Sequence, residues 1–410
     1  MMRVGIEAIN FYGGVAYVNI RDMFEQRGLD LERFENLMME KKSVGFPCED
    51  PVTIGVNAAK AIVDQLTAEE KNSIELVITS SESGLDFGKS LSTYIHDYLG
   101  LSRHCRLFEV KQACYGGTAA FQMAACFVAS QASPGAKALV IATDVPRIAA
   151  KNTYAEPSQG FGAIAMLVSD KPEIFELDWG ASGQYSFEVM DTCRPLPEIE
   201  TGDPDLSLLS YLECLENSYE AYQKKVEGTH LQNTFDYLVF HTPFAGMVKG
   251  GHRKLMRPAK LSPDIIETDF QRRVVPSLRY CTQVGNVYSA TVYLALCGMI
   301  DTADLGEFNR VGIFSYGSGC ASEFYSGVVT SQSQAKLRNM RIGSRLAERR
   351  ELNMQEYDHM LDLNMEWTFG IQNKEVDVSR FADIYAQYFE GRKLLVLKRV
   401  NNFHREYDWS

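Results

Sequence analysis

The 410-residue sequence has no apolar run long enough to cross a bilayer, which takes about 18 residues. Its longest apolar stretches, such as Tyr115 to Ser130, are broken by Gly, Thr and Gln. The amino-terminal MMRVGIEAINFYGG lacks the apolar core of a secretion signal, because Glu7 interrupts it. A cytoplasmic protein without membrane contact is expected. Excess positive charge is also missing. Lys and Arg number 41 against 53 Asp and Glu, a formal net charge of -12. Nucleic-acid binding needs a basic footprint, so no nucleic-acid partner is expected.

No C-x-x-C pair occurs among the nine cysteines, which are Cys48, Cys105, Cys114, Cys126, Cys193, Cys214, Cys281, Cys297 and Cys320. Their odd number and irregular spacing argue against a disulfide framework and a zinc site. Most are expected to be small buried hydrophobes. Phosphate-loop motifs are absent as well: neither G-x-x-x-x-G-K-[ST] nor a G-x-G-x-x-G after a strand is found. Gly285-Asn286 and Tyr316-Gly317-Ser318-Gly319 are either tight turns or backbone that can bind an oxyanion.

What is present is an ordinary globular composition, 45% hydrophobic and 23% charged. The length suits two or three domains, or two fused halves. Strand-like segments (Arg3 to Ile9, Ser73 to Thr79, Cys105 to Val110, Ala136 to Ala142, Gly162 to Val168) alternate with helical ones. The helical segments include one within Ile20 to Met39, then Pro51 to Leu66, Ser90 to Leu99 and the small-residue stretch after Cys114. Asp50 is the expected cap of the Pro51 helix. This alternation predicts an α/β fold.

Later segments echo the earlier ones. Asp236 to Phe240 ends in His241, GNVYSATVYLALCGMI repeats the small-residue helix, and Val311 to Phe314 with Ala321 to Val328 would form a closing hairpin. The echo suggests an internal duplication, with halves 1–170 and 171–410. A charged helical insertion is expected near 331–365, where Arg338, Arg341, Arg345 and Arg349 have the spacing of a solvated helix face. A carboxy-terminal strand should pack back on the body, burying Leu394, Leu395, Val396, Leu397, Phe403, Tyr407 and Trp409.

Cys114 follows a strand and opens a helix beginning Tyr115-Gly116-Gly117. Unpaired amides and the helix dipole there favour a thiolate nucleophile; a buried structural thiol is the alternative. Glu82, just past a strand, is either an exposed turn residue or a base for carbon acids. His241, at a strand end, is either structural or a donor to a carbonyl. Together the three could supply an acyl carrier, a base and an oxyanion donor.

The segments TSSESGLDFGKS, KQACYGGTAA, LVFHTPFAGMVK, GNVYSAT and SYGSGCASEF, taken in order, resemble the 3-hydroxy-3-methylglutaryl (HMG) synthase family over nearly the whole chain. The resemblance implies a thiolase fold, two duplicated βαβαβαββ-type halves in a five-layered αβαβα arrangement. It implies Glu82, Cys114 and His241 as catalytic residues, with Asn286, Tyr288, Gly317, Ser318 and Lys249 binding substrate. SESGLDFGKSLSTYIH and the ending NFHREYDW are most similar to the polyketide β-branching HMG-ACP synthases. That branch implies aldol addition of a Cys-bound acetyl group to the β-keto group of a carrier-bound polyketide. Its substrates are phosphopantetheine thioesters, with no tightly bound cofactor and no metal. Its partners are donor and acceptor acyl carrier proteins, and the enzyme is a homodimer. The coenzyme A enzymes carry a lysine shortly after F-H-x-P-F, where this chain has Gly246.

Three alternatives remain: an HMG-CoA synthase of primary metabolism, a β-ketoacyl synthase III-like enzyme, and an inactive carrier-binding scaffold. Lys249, Arg253, Lys254, Arg257, Lys260, Arg272, Arg273 and Arg279 form a basic cluster that could dock a carrier protein.

Overall fold

The apolar, β-branched segments IELVITS and KALVIATD form almost fully buried strands, as expected when helices cover both faces of a sheet. The computed structural model describes residues 3–146, 150–196 and 199–410. Nine strands make its main sheet: β1 (Gly5–Tyr12), β2 (Ile74–Ser80), β3 (Arg106–Val110), β4 (Lys137–Asp144), β5 (Gly162–Ser169), β6 (Phe175–Ser186), β7 (Tyr237–Phe240), β8 (Asn309–Gly317) and β9 (Ala321–Val329). Their order is β7-β8-β9-β6-β1-β5-β4-β2-β3.

Two arms meet in this sheet. In the first, β2 lies parallel to β3 and β4, and β5 returns antiparallel between β4 and β1. In the second, β7 lies parallel to β8, the hairpin β8–β9 turns back, and β9 pairs antiparallel with β6. The arms join where Gly5 and Ile6 of β1 pair with Glu176 and Phe175 of β6. The first arm has three parallel strands and the second two, and in each the parallel strands are followed by two antiparallel neighbours.

Six helices position the site: α1 (Pro51–Val63), α2 (Gly116–Ala129), α3 (Pro204–Lys225), α4 (Ala245–Met256), α5 (Val275–Val284) and α6 (Thr291–Thr302). Asp50 caps α1 as expected, accepting from the amides of Val52 (3.0 Å) and Thr53 (2.9 Å). Its other oxygen accepts from Tyr407 Oη (2.8 Å) and Arg405 (3.1 Å), tying the carboxy-terminal hairpin to the helix. Small residues let α2 lie close to the sheet, and α6 is buried from Thr291 to Ile300. Phe121 of α2, Tyr293 of α6, Tyr325 and Phe175 form an aromatic cluster between them. Cys48, Cys214, Cys281, Cys297 and Cys320 are buried, as expected of small apolar side chains. Among the described residues no helix is long and apolar enough to cross a membrane.

Several expectations are corrected. Ile20 to Met39 holds two helices, Ile20–Arg27 and Leu31–Leu37, because Gly28 in the left-handed region (φ 62°) ends the first. The arginine series does not lie on one solvated face, since Arg341 breaks the helix with φ 52°. Arg349 is buried and donates to Ser43 Oγ (2.6 Å) and the carbonyls of Leu346 and Gln283. Arg345 reaches the Asn10 side chain and the Phe11 carbonyl. The single carboxy-terminal strand is a hairpin, Leu395–Asn401 with His404–Trp409. Leu395, Val396, Leu397 and Tyr407 are buried, but Phe403 at the turn and Trp409 on the outer side are 60% and 40% exposed.

Candidate active site

β2 ends at Ser80, and the loop after it presents Glu82. That loop is held by Asp144, the last residue of β4 and fully buried. Asp144 Oδ1 accepts from the Glu82 amide (2.7 Å) and from the hydroxyls of Ser81 and Ser83 (both 3.1 Å). Its Oδ2 accepts from Ser289 Oγ (2.8 Å), just before α6. Burial, and then the nearby Glu82 charge, hold the Asp144 carboxyl well above the usual carboxylate range.

Cys114 lies immediately ahead of α2, with its Sγ 3.1 Å from Glu82 Oε1. Gly117 explains how the helix start fits: a Cβ there would meet the Ser289 carbonyl oxygen at 2.3 Å. The two helix starts, one from each arm, therefore touch through bare backbone.

His241 follows β7 and is 1% exposed. Its amide donates to the Phe314 carbonyl (2.8 Å), and its carbonyl accepts from Tyr211 Oη (2.9 Å) of α3. Burial pushes its imidazole down to about 3, so the ring is neutral at physiological pH. Among the described residues Nδ1 has no hydrogen-bond partner. A neutral imidazole can still donate one N–H to a ligand oxygen.

One cavity of about 1030 Å³ is lined by Glu82, Cys114, His241, Asn286, Tyr288 and Ser318 together. Asn286 Oδ1 accepts from the Tyr288 amide (2.9 Å) and Thr291 Oγ1 (2.8 Å), which leaves the amide nitrogen as the donor of this side chain. Ser318 is carried by the β8–β9 turn, whose Gly319 amide donates to Asp191 Oδ1 (2.9 Å). Gly317 lies behind the wall, where a Cβ would meet the Tyr115 amide nitrogen at 2.5 Å. Lys249 does not line the cavity, and Glu267 holds its ammonium at 3.0 Å.

The basic cluster is similarly depleted. Arg253 also faces Glu267, Lys254 pairs with Glu216, and Arg273 is fully buried against Asp269. Arg257, Lys260 and Arg279 are exposed.

Sequence reasoning missed Asp144, Asp191 and Arg194. Arg194 donates to the Glu82 carbonyl (3.0 Å) and to Ser83 Oγ (3.4 Å). A carboxylate at the carboxyl end of β4 was a usable signal for Asp144. Arg194, in a short hairpin strand, carried none.

Three strand ends thus bring a thiol, a carboxylate and a neutral imidazole into one cavity, an arrangement for acyl transfer followed by carbanion chemistry. The chain belongs to the hydroxymethylglutaryl-CoA synthase family of acyltransferases: the family's N-terminal model matches residues 2–173, and its C-terminal model matches 177–263 and 258–406. Within that family, it is 52% identical to PksG of Bacillus subtilis (strain 168), a polyketide biosynthesis 3-hydroxy-3-methylglutaryl-ACP synthase, over 100% of both chains. The HMG synthase of the curacin biosynthetic pathway is 54% identical and superposes with a TM-score of 0.96 over 100% of both chains. That enzyme has also been solved with its acetyl donor-ACP, at a TM-score of 0.97. The hydroxymethylglutaryl-CoA synthase of Enterococcus faecalis is 33% identical, covering 90% of this chain and 94% of that one.

Proposed function

We propose that this chain is an HMG-ACP synthase of polyketide β-branching, which adds a Cys114-bound acetyl group to the β-keto carbon of a carrier-bound polyketide. The 3.1 Å approach of Cys114 Sγ to Glu82 Oε1, in the cavity that also holds His241, carries the reading. A decarboxylating condensing enzyme or a binding scaffold has no use for a carboxylate there.

Cys114 attacks the acetyl thioester of a donor carrier protein, and the pantetheine thiol leaves with the cysteine's proton. Glu82 takes a proton from the acetyl methyl, and the resulting enolate carbon attacks the acceptor ketone. His241, neutral, donates a hydrogen bond to the ketone oxygen as it becomes an alkoxide, which then takes up the proton that Glu82 removed. Water cleaves the thioester to Cys114, restoring the thiol and leaving a 3-hydroxy-3-carboxymethyl acyl chain. Asn286, Tyr288 and Ser318 orient the substrates.

Position 246 favours a carrier protein over free coenzyme A as the acyl carrier. A Cβ on Gly246 would meet the Asn36 carbonyl oxygen at 1.9 Å. The helix Leu31–Leu37 ends against this glycine, so a lysine at that place would displace it.

The acting form is a cytoplasmic homodimer that serves donor and acceptor carrier proteins in turn; the outer strand β3 offers an edge for the partner copy. The matching strand patterns of the two arms support duplicated thiolase-type halves, 1–170 and 171–410, layered αβαβα. The test is acetylation of the protein, followed by intact mass, with acetyl-carrier protein and acetyl-CoA in parallel. Acetyl should load faster from the carrier protein, and Cys114→Ser should take none. Equal loading from coenzyme A would favour the primary-metabolic enzyme.

A further inference from the structure

Beside the catalytic cavity lies a second one of about 170 Å³. Gln159 and Arg194 line both, and so form a shared wall. Glu82 lines the first cavity, while the next residues, Ser83, Gly84 and Leu85, line the second. The second cavity therefore begins one residue from the catalytic carboxylate.

Its walls are largely apolar: Val44, Phe46, Phe161, Leu361, Trp367 and Phe369. Its buried charged groups are already engaged. Glu49 accepts from Tyr12 Oη (2.7 Å), Asp50 from Arg405 (3.1 Å), and Lys42 donates to the Glu156 carbonyl (2.7 Å). What the cavity offers a ligand is apolar surface. Its volume is on the order of the ~150 Å³ hydrophobic cavity that admits a benzene-sized group.

We propose that this cavity receives the part of the acceptor acyl chain beyond its β-carbon. The inference rests on the reading above, that the acceptor is a carrier-bound β-ketoacyl chain. An acetoacetyl acceptor ends in a methyl group beside the reacting ketone. A polyketide acceptor continues from that carbon, and its next carbons need apolar room within bond reach of the site. The room lies behind Arg194 and Gln159. Arg194 lines both spaces and bonds the Glu82 carbonyl and Ser83 Oγ, so the acceptor chain would pass as that side chain turns aside. Burying each further methylene there favours binding of longer acceptors.

The experiment compares two acceptors, 3-oxobutanoyl and 3-oxooctanoyl carrier protein, with acetyl-loaded enzyme. Leu361→Trp and Thr368→Trp add bulk at two residues that line the second cavity and not the catalytic one. In both variants kcat/KM for the 3-oxooctanoyl acceptor is expected to fall at least tenfold. That for 3-oxobutanoyl, and the rate of Cys114 acetylation, should stay within about twofold. Equal losses with both acceptors, or no loss with either, would overturn the proposal. In the wild type, an acceptor chain ending in a diazirine should label the segment around Leu361 to Phe369 on irradiation. Labelling confined to the mouth of the first cavity, near Arg33 and Tyr154, would also overturn it. Failure of the function reading itself shows separately, as a wild type that makes no product from 3-oxobutanoyl carrier protein.

Discussion

His241 is neutral because it is buried without a charged partner: burial alone takes its pKa from 6.5 to about 3. Its stabilising consequence has a definite sign. Above 6.5 the imidazole is neutral in both folded and unfolded chains, and nothing is lost. Between 6.5 and about 3 the unfolded chain binds a proton that the folded chain refuses, so stability falls as the pH falls. The slope from this one group is at most about 1.4 kcal/mol per pH unit. His241→Asn is therefore expected to flatten the acid side of the stability curve in that window, as read by urea titration at stepped pH. An unchanged slope would place the acid sensitivity elsewhere. In the proposed mechanism Glu82 acts at a different step. Glu82→Gln is expected to accept acetyl on Cys114 yet form no carbon–carbon bond, so the acetylated protein accumulates in intact-mass spectra. The serine variant of Cys114, by contrast, is expected to stop at the first step. Loss of both steps in the glutamine variant would make Glu82 part of thiol activation rather than the base for carbon.

Among the elements, α1 shows how far local sequence rules reach. Asp50 followed by Pro51 announces a helix start, and the capping box forms there. What the local rule does not show is that Asp50 also anchors Tyr407 and Arg405 from the far end of the chain. Asp50→Ala therefore removes more than a cap. The cap alone is worth about 0.5–2 kcal/mol, and the unpaired Arg405 adds to the loss. A destabilisation at or above the upper end of that range is expected, seen as a lower urea midpoint with unchanged slope. A loss well under 1 kcal/mol would mean that the hairpin is held by its apolar side alone. The same contrast explains the other successes and misses. Strand-end placement made Glu82, Cys114 and His241 legible, because each sits where a local pattern changes. The end of β4 marked Asp144 in the same way, but not what it holds, since its partners lie 62 and 145 residues away in sequence. The arginines from 338 to 349 kept a helical spacing that the backbone breaks at Arg341, and Arg349 finds Ser43 only through the fold. Lys249 looked available until Glu267, one helix later, reached it.

For the whole molecule, the charge of -12 sets a repulsive background for any acidic carrier protein. Docking then depends on basic side chains not already neutralised. Arg253 faces Glu267 at 3.4 Å, whereas Arg257 is exposed at the end of the same helix, whose other end lines the catalytic cavity through Met247. Reversing Arg257 to Glu is expected to raise the KM for carrier-bound acetyl several-fold and more than reversing Arg253. The effect should shrink at high salt and be absent with a small pantetheine-linked donor. Equal losses with both donors would mean that the charge supports the pocket rather than docking.

Asp144 holds the Glu82 loop of one arm with one oxygen and the start of α6 in the other arm with its second. Directly beside it, Gly117 leaves room for the Ser289 carbonyl and nothing larger. A recombinant joining the first half of one relative to the second half of another would have to inherit this aspartate, this glycine and this serine as a set. The seam makes the two arms of the sheet poor candidates for independent exchange, however alike their strand patterns are, because three residues tie one to the other.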